Sequence, residues 1–126
     1  VIVYRPTDKI SYSLGEIKFS ISPLTFHQKQ QVASLLQEAV QNKNPKKMLE
    51  ASILTVKMAL KSIHGLKFQD GSDFKLEFDE NGLISDESID VLLNTELSEK
   101  LIGLCSQLVN GIPKELPEGV VIEKKS

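Results

Sequence analysis

Apolar and polar residues alternate along "KISYSLGEIKFSIS", residues 9–22. Ile10, Tyr12 and Leu14 fall on one face. Ile17, Phe19 and Ile21 repeat the pattern after Gly15. A period of two in β-branched and aromatic residues predicts strands, and a glycine between them predicts the turn of a hairpin with one wet face. The period then changes. Thr25 fits an N-cap, Gln28 three residues on completes a capping box, and Val32, Leu35, Leu36, Ala39 and Val40 form a stripe at helical spacing. "NKNP" at 42–45 breaks this helix. A second is expected from Pro45, tolerated in a first turn, to Gly65 as C-cap. It carries two stripes, Leu49, Ile53, Val56, Leu60 and Ile63 on one side and Met48, Ala51, Leu54 and Met58 on the other. Two stripes predict a central helix packed on both sides.

Further along, Leu66 and Phe68 precede Asp70-Gly71, and Phe74, Leu76 and Phe78 follow it, the signature of a second hairpin. Asn81-Gly82 ends its return strand. A short helix is expected from Ser85, with Asp86 and Glu87 in its first turn and Ile89, Leu92 and Leu93 on its apolar side. Another follows Thr95 with Leu97, Leu101, Leu104 and Leu108, flanked by Ile102, Cys105 and Val109, and stops at Gly111 and Pro113. The pattern predicts an α+β fold: a mainly helical single domain, 1–126, of about four helices with two short β-hairpins. In the tail, 112–126, the run Val120 to Ile122 is expected either to dock as an edge strand or to stay mobile.

The 126 residues suit one core, and a 40% apolar, 25% charged composition is ordinary for a soluble domain. No run approaches the length of a membrane helix and no signal peptide is visible. A single cysteine, Cys105, excludes an internal disulfide and fits a reducing cytoplasm. The net charge of −2 gives no reason to expect nucleic-acid binding. Its distribution is uneven: residues 1–75 hold 11 Lys or Arg against 6 acids, and residues 76–100 hold one Lys against 8. The acids sit on solvated helix starts or form one pole of a surface that orients partners.

"FDENGLISDES", 78–88, has the look of a calcium loop. With Asp79 at loop position 1, Asn81 fits position 3, but Gly82 arrives two residues early and Leu83 takes a position that needs an oxygen. A turn at Asn81-Gly82, anchors at Leu83 and Ile84, and a cap at Ser85 account for every residue. His27 and His64 lie 37 residues apart and Cys105 stands alone, so no metal-ligand spacing exists. His64 before Gly65 reads as a helix C-terminal or surface residue. Asp86 and Asp90 share a helix face, where a solvated helix start is simpler than a catalytic pair. No nucleophile elbow, phosphate loop or stacking platform is visible. No catalytic residue, metal or cofactor is expected, and the residues point to a binding or assembly module.

The layout nevertheless resembles a known family. "GEIKFSISPLTFHQKQQV" sets a strand before Ser22-Pro23-Leu24-Thr25 and a helix. "ASILTVKMALKSIHGL" ends in an Ile-x-Gly-Leu turn. An Asp-Gly hairpin, paired short helices and "LPEGV" follow. From about Gly15 to Val121 this is similar to the tail assembly chaperones of long-tailed bacteriophages. The resemblance implies a protein of the host cytoplasm, absent from the finished tail, that binds the helical tape measure protein and helps recruit tail tube subunits. It also implies a longer frameshifted product in many members, and it carries over no catalytic residue. Expected partner contacts are Met48, Leu54 and Met58, which would cover an apolar helical stripe, and the acids Asp79, Glu80, Asp86 and Asp90, which would meet basic surfaces. Self-association is a further expectation. Two alternatives stand beside this one: a structural tail or head–tail connector protein, and a small host-directed adaptor or inhibitor.

Overall fold

The computed structural model describes residues 3–123. Val1, Ile2 and the last three residues of the expected tail lie outside the described residues. Strands β1 (Ile10–Leu14) and β2 (Ile17–Ile21) form the expected hairpin, in register from Ile10 opposite Ile21 to Leu14 opposite Ile17. Helix α1 (Phe26–Gln41) starts at Thr25, whose hydroxyl accepts the Gln28 N–H at 3.1 Å while the Gln28 side chain accepts the Thr25 N–H at 2.9 Å. This is the reciprocal box the sequence predicts. Helix α2 (Pro45–Ala59) begins behind an Asn44 cap and lies between α1 and α4 (Ser98–Cys105). Helix α3 (Asp86–Leu93) is capped by Ser85, and a 3-10 turn, Ser106–Asn110, continues α4. The fold is α+β, with four helices and one four-stranded antiparallel sheet among the described residues.

One expectation is corrected. Helix α2 stops at Ala59, and Leu60–His64 is strand β3, paired with β2. Leu60 adopts extended geometry with no intervening loop. The helix ends because its last carbonyls are taken from outside: Lys57 O accepts the Ile84 N–H at 3.2 Å, and Ala59 O accepts the Ser22 N–H at 2.9 Å. His64 is therefore an exposed strand residue opposite Lys18, not a helix cap. The second hairpin is confined to its tip, where Lys67 bridges Asp73. Of the two outcomes open to the tail, Val120–Ile122 takes the first: it docks on β1 as β4, giving the strand order β3-β2-β1-β4.

The core lies between the inner sheet face and the helices. Tyr12, Phe19, Ile21, Leu60, Ile63 and Val120 from the sheet meet Val56, Met58, Leu92, Leu101, Leu104 and Leu108 from the helical side. Each fully buried leucine contributes about 2 kcal/mol, against about 1 kcal/mol for a neutral hydrogen bond such as Ser20 Oγ to Ser62 Oγ across the outer face, so the fold rests mainly on the apolar layer. Tyr12 sits at its centre, stacked on Phe19 with ring centroids 5.6 Å apart. Burial pushes its phenol up to about 12, and its hydroxyl has no hydrogen-bond partner among the described residues.

Gly65 joins β3 to the following loop at φ +99°, where an added Cβ would stand 2.7 Å from the Glu16 carbonyl oxygen. Gly71 has a similar φ of +91° but open space around it. Gly65→Ala is expected to lose more than about 3 kcal/mol in urea unfolding and Gly71→Ala about 1–2 kcal/mol, the difference being the clash rather than the backbone strain. Tyr12→Phe keeps the stacked ring and removes an unsatisfied buried hydroxyl. It is expected to raise stability by about 1 kcal/mol in the same measurement.

Candidate functional site

The seven expected contact residues do not form one surface. Met48 lies in the first turns of α2 and is 47% exposed, whereas Met58 near its other end is 4% exposed and belongs to the core. Leu54 is half-buried and packs against the core. A stripe of helical period thus divides along its length, because the C-terminal half of α2 is enclosed by the sheet and α4 while its N-terminal turns project with the end of α1. Met58 is corrected from partner contact to core residue. Leu49, read as a core-stripe residue, and Val40, at the end of the α1 stripe, are instead exposed at the same tip as Met48. Lys43 lies in the α1–α2 connection, and Lys46 and Lys47 lie in the first turn of α2. Lys47 faces Glu38 at 4.0 Å and Glu50 at 3.7 Å.

The acids are all exposed but are differently occupied. Asp79 shapes the turn: its Oδ1 accepts the N–H groups of Asn81 at 2.8 Å and Leu83 at 3.0 Å. Gly82 at φ +77° and buried Ile84 complete the turn-and-anchor geometry expected for this stretch, and Ser85 Oγ accepts the Ser88 N–H at 3.2 Å to start α3. Asp86 bonds the Lys57 ammonium at 2.7 Å. That leaves Glu80 in the turn and Asp90 one helical turn beyond Asp86 as the acids without an intramolecular bond among the described residues. The acidic edge and the α1–α2 tip are separate places. Met48 and Lys57 stand nine positions apart on α2, about 14 Å along the axis.

Sequence reasoning missed a further surface, the outer edge of β3. The stripe Leu49–Ile63 ran through it at helical spacing and concealed it. The available signal was Ser62-Ile63-His64, three residues of modest helix preference directly before a glycine. Cys105 is fully buried, and burial pushes its thiol up to about 12, so it serves as a small core residue. Among the described residues, no three of His, Cys, Asp and Glu gather into a metal-ligating group.

The Lys57 hydrogen bond and charge hold the Asp86 carboxyl below the ordinary aspartate value of 3.8. A lowered folded-state value stabilises the fold above the unfolded value, and that contribution is lost as pH falls through the folded one. Asp86→Asn is therefore expected to reduce stability slightly at about pH 7 and to match the parent chain in acid well below 3.8, measured as urea midpoints across the range.

Compared with family models, curated proteins and solved structures, the chain matches none.

Proposed function

We propose that this chain is a non-catalytic binding protein for a helical client, and specifically a tail assembly chaperone of a long-tailed bacteriophage. Its client is the tape measure protein, and it helps to bring tail tube subunits to that client in the host cytoplasm. The observation that carries the reading is the tip of the α1–α2 hairpin, where Val40, Met48 and Leu49 are exposed beside Lys43, Lys46 and Lys47. A long helix with an apolar stripe aggregates unless the stripe is covered. An exposed apolar tip with an adaptable methionine and two cations, Lys43 and Lys46, that have no ion-pair partner among the described residues suits such a stripe where acids flank it. Glu80 and Asp90, away from that tip, remain available to a basic surface such as a second partner's.

A second reading rests on the sheet. Both β3 and β4 are edge strands, and head-to-tail pairing of such edges builds rings, as a tail or connector subunit would. A concentration-independent ring in sedimentation would favour it over the chaperone.

Co-expression with the tape measure protein of the same genome tests the first reading. The client is expected to stay soluble and to co-purify with this chain. Met48→Glu combined with Leu49→Glu, both exposed positions, is expected to cut the soluble client several-fold while the variant keeps the parent's thermal midpoint. A client that stays insoluble with the parent chain removes the chaperone reading.

A further inference from the structure

The sheet ends at β3, so one side of that strand meets no neighbouring strand among the described residues. Beyond it the chain turns through residues 69–72 and comes back. Lys67 bridges Asp73, and the Phe74 N–H donates to the Leu66 carbonyl at 2.9 Å. Two residues further in that register, Leu76 would face His64, and then Phe78 would face Ser62. The pairing stops first. The Glu77 N–H donates to Ser88 Oγ at 3.0 Å and its carbonyl accepts the Ser85 N–H at 2.9 Å, so the start of α3 draws the returning segment away from β3. A groove of about 350 Å³ opens in between, lined among others by Lys61, Ile63, His64, Phe74, Leu76 and Phe78.

Three properties of this groove specify what fits it. Along β3 the outward backbone groups of Lys61–His64 have no backbone partner among the described residues, which leaves a template for an added strand. Ile63 and Phe74 are buried beneath it and Phe78 is exposed beside it, so apolar side chains at alternate positions find contacts. Its charge is positive and unanswered. Lys61 is partly buried near the bulge of β3, where burial and the neighbouring Lys9 disfavour its charged form, and neither Lys61 nor Lys75 has an ion-pair partner among the described residues. Asp73, the groove's one carboxylate, is held by Lys67 at 3.8 Å. The chain's own edges do not supply the answering charge: β3 itself carries Lys61, and β4 is Val-Val-Ile.

We infer that this groove captures an extended segment of a partner protein as a fifth strand on β3, and that the segment alternates apolar with acidic side chains. Backbone bonds hold it, the apolar residues meet Ile63, Phe74 and Leu76, and the carboxylates answer Lys61 and Lys75. The inference goes beyond the helical client: the α1–α2 tip and this groove are built from different elements, and either stands if the other fails.

The test uses dye-labelled peptides of about six residues, a typical strand length, titrated against the full chain by fluorescence anisotropy. One alternates valine with glutamate, one valine with lysine, and a third is the glutamate peptide N-methylated at every second residue, prepared in both phases. The glutamate peptide is expected to bind about tenfold or more tightly than the lysine peptide, about 1.4 kcal/mol. One methylated phase is expected to abolish binding, because it blocks the edge that pairs with β3. Lys61→Glu combined with Lys75→Glu is expected to reverse the charge preference at an unchanged thermal midpoint. Amide shifts in NMR should be confined to residues 60–66 and 73–78. Equal affinity for both charges, binding that survives both methylated phases, shifts centred elsewhere, or no binding with β3 covered by a second copy would each overturn the inference.

Discussion

The C-terminal end of α2 is the joint on which the rest of the structure hangs. A helix end leaves carbonyls without intrahelical partners, and they must be satisfied from elsewhere. Here the end of β2 supplies one donor, Ser22, and the approach to α3 supplies another, Ile84. One turn of backbone therefore ties the helical layer to the sheet and to the second half of the chain. The same turn releases the chain at Leu60 directly into β3, opposite Ile21. The bulge between Ser20 and Ile21 in this pairing takes up the mismatch between a strand fixed by its neighbour and a strand fixed by the helix before it.

Much of this was legible where the determinants are local. Alternation around Gly15 gave the first hairpin, the Thr25–Gln28 box gave the start of α1, and Ser85 gave the start of α3. The end of α2 was not legible, because nothing within the helix stops it. Leu60 and Ile63 continue its stripe, and the donors that end it come from residues 22 and 84. Periodicity also shows that a residue lies on a stripe without showing what covers that part of the stripe. Met48 and Met58 share a face of α2, yet only Met58 is enclosed. For the same reason Leu49, with the spacing of a core residue, stands in solvent.

The charged positions follow a similar division. Composition revealed the acidic segment, and its chemistry is settled by what each oxygen touches. Asp79 organises its own turn and Asp86 is paired with Lys57, so two of the four acids serve the fold before any partner arrives. The lysines show the reverse. Lys61 and Lys75 look unremarkable in sequence, and only the divergence of segment 73–78 from β3 puts both beside one groove. That divergence depends on Ser85 and Ser88 competing for the backbone of Glu77, a contest between a hairpin and a helix cap that no single window of sequence contains.

The missing linker between α2 and β3 also restricts how this chain can vary in length. Adding one residue between Ala59 and Leu60 would invert every side chain of β3, turning Leu60 and Ile63 to solvent and the Ser62 hydroxyl into the core. Removing one would do the same. The turn at 69–72 has no such constraint: its residues are exposed and nothing lies close to Gly71. Insertions and deletions in related sequences should therefore collect at that turn and avoid the junction, so that chain length, more than residue identity, marks where this fold is rigid.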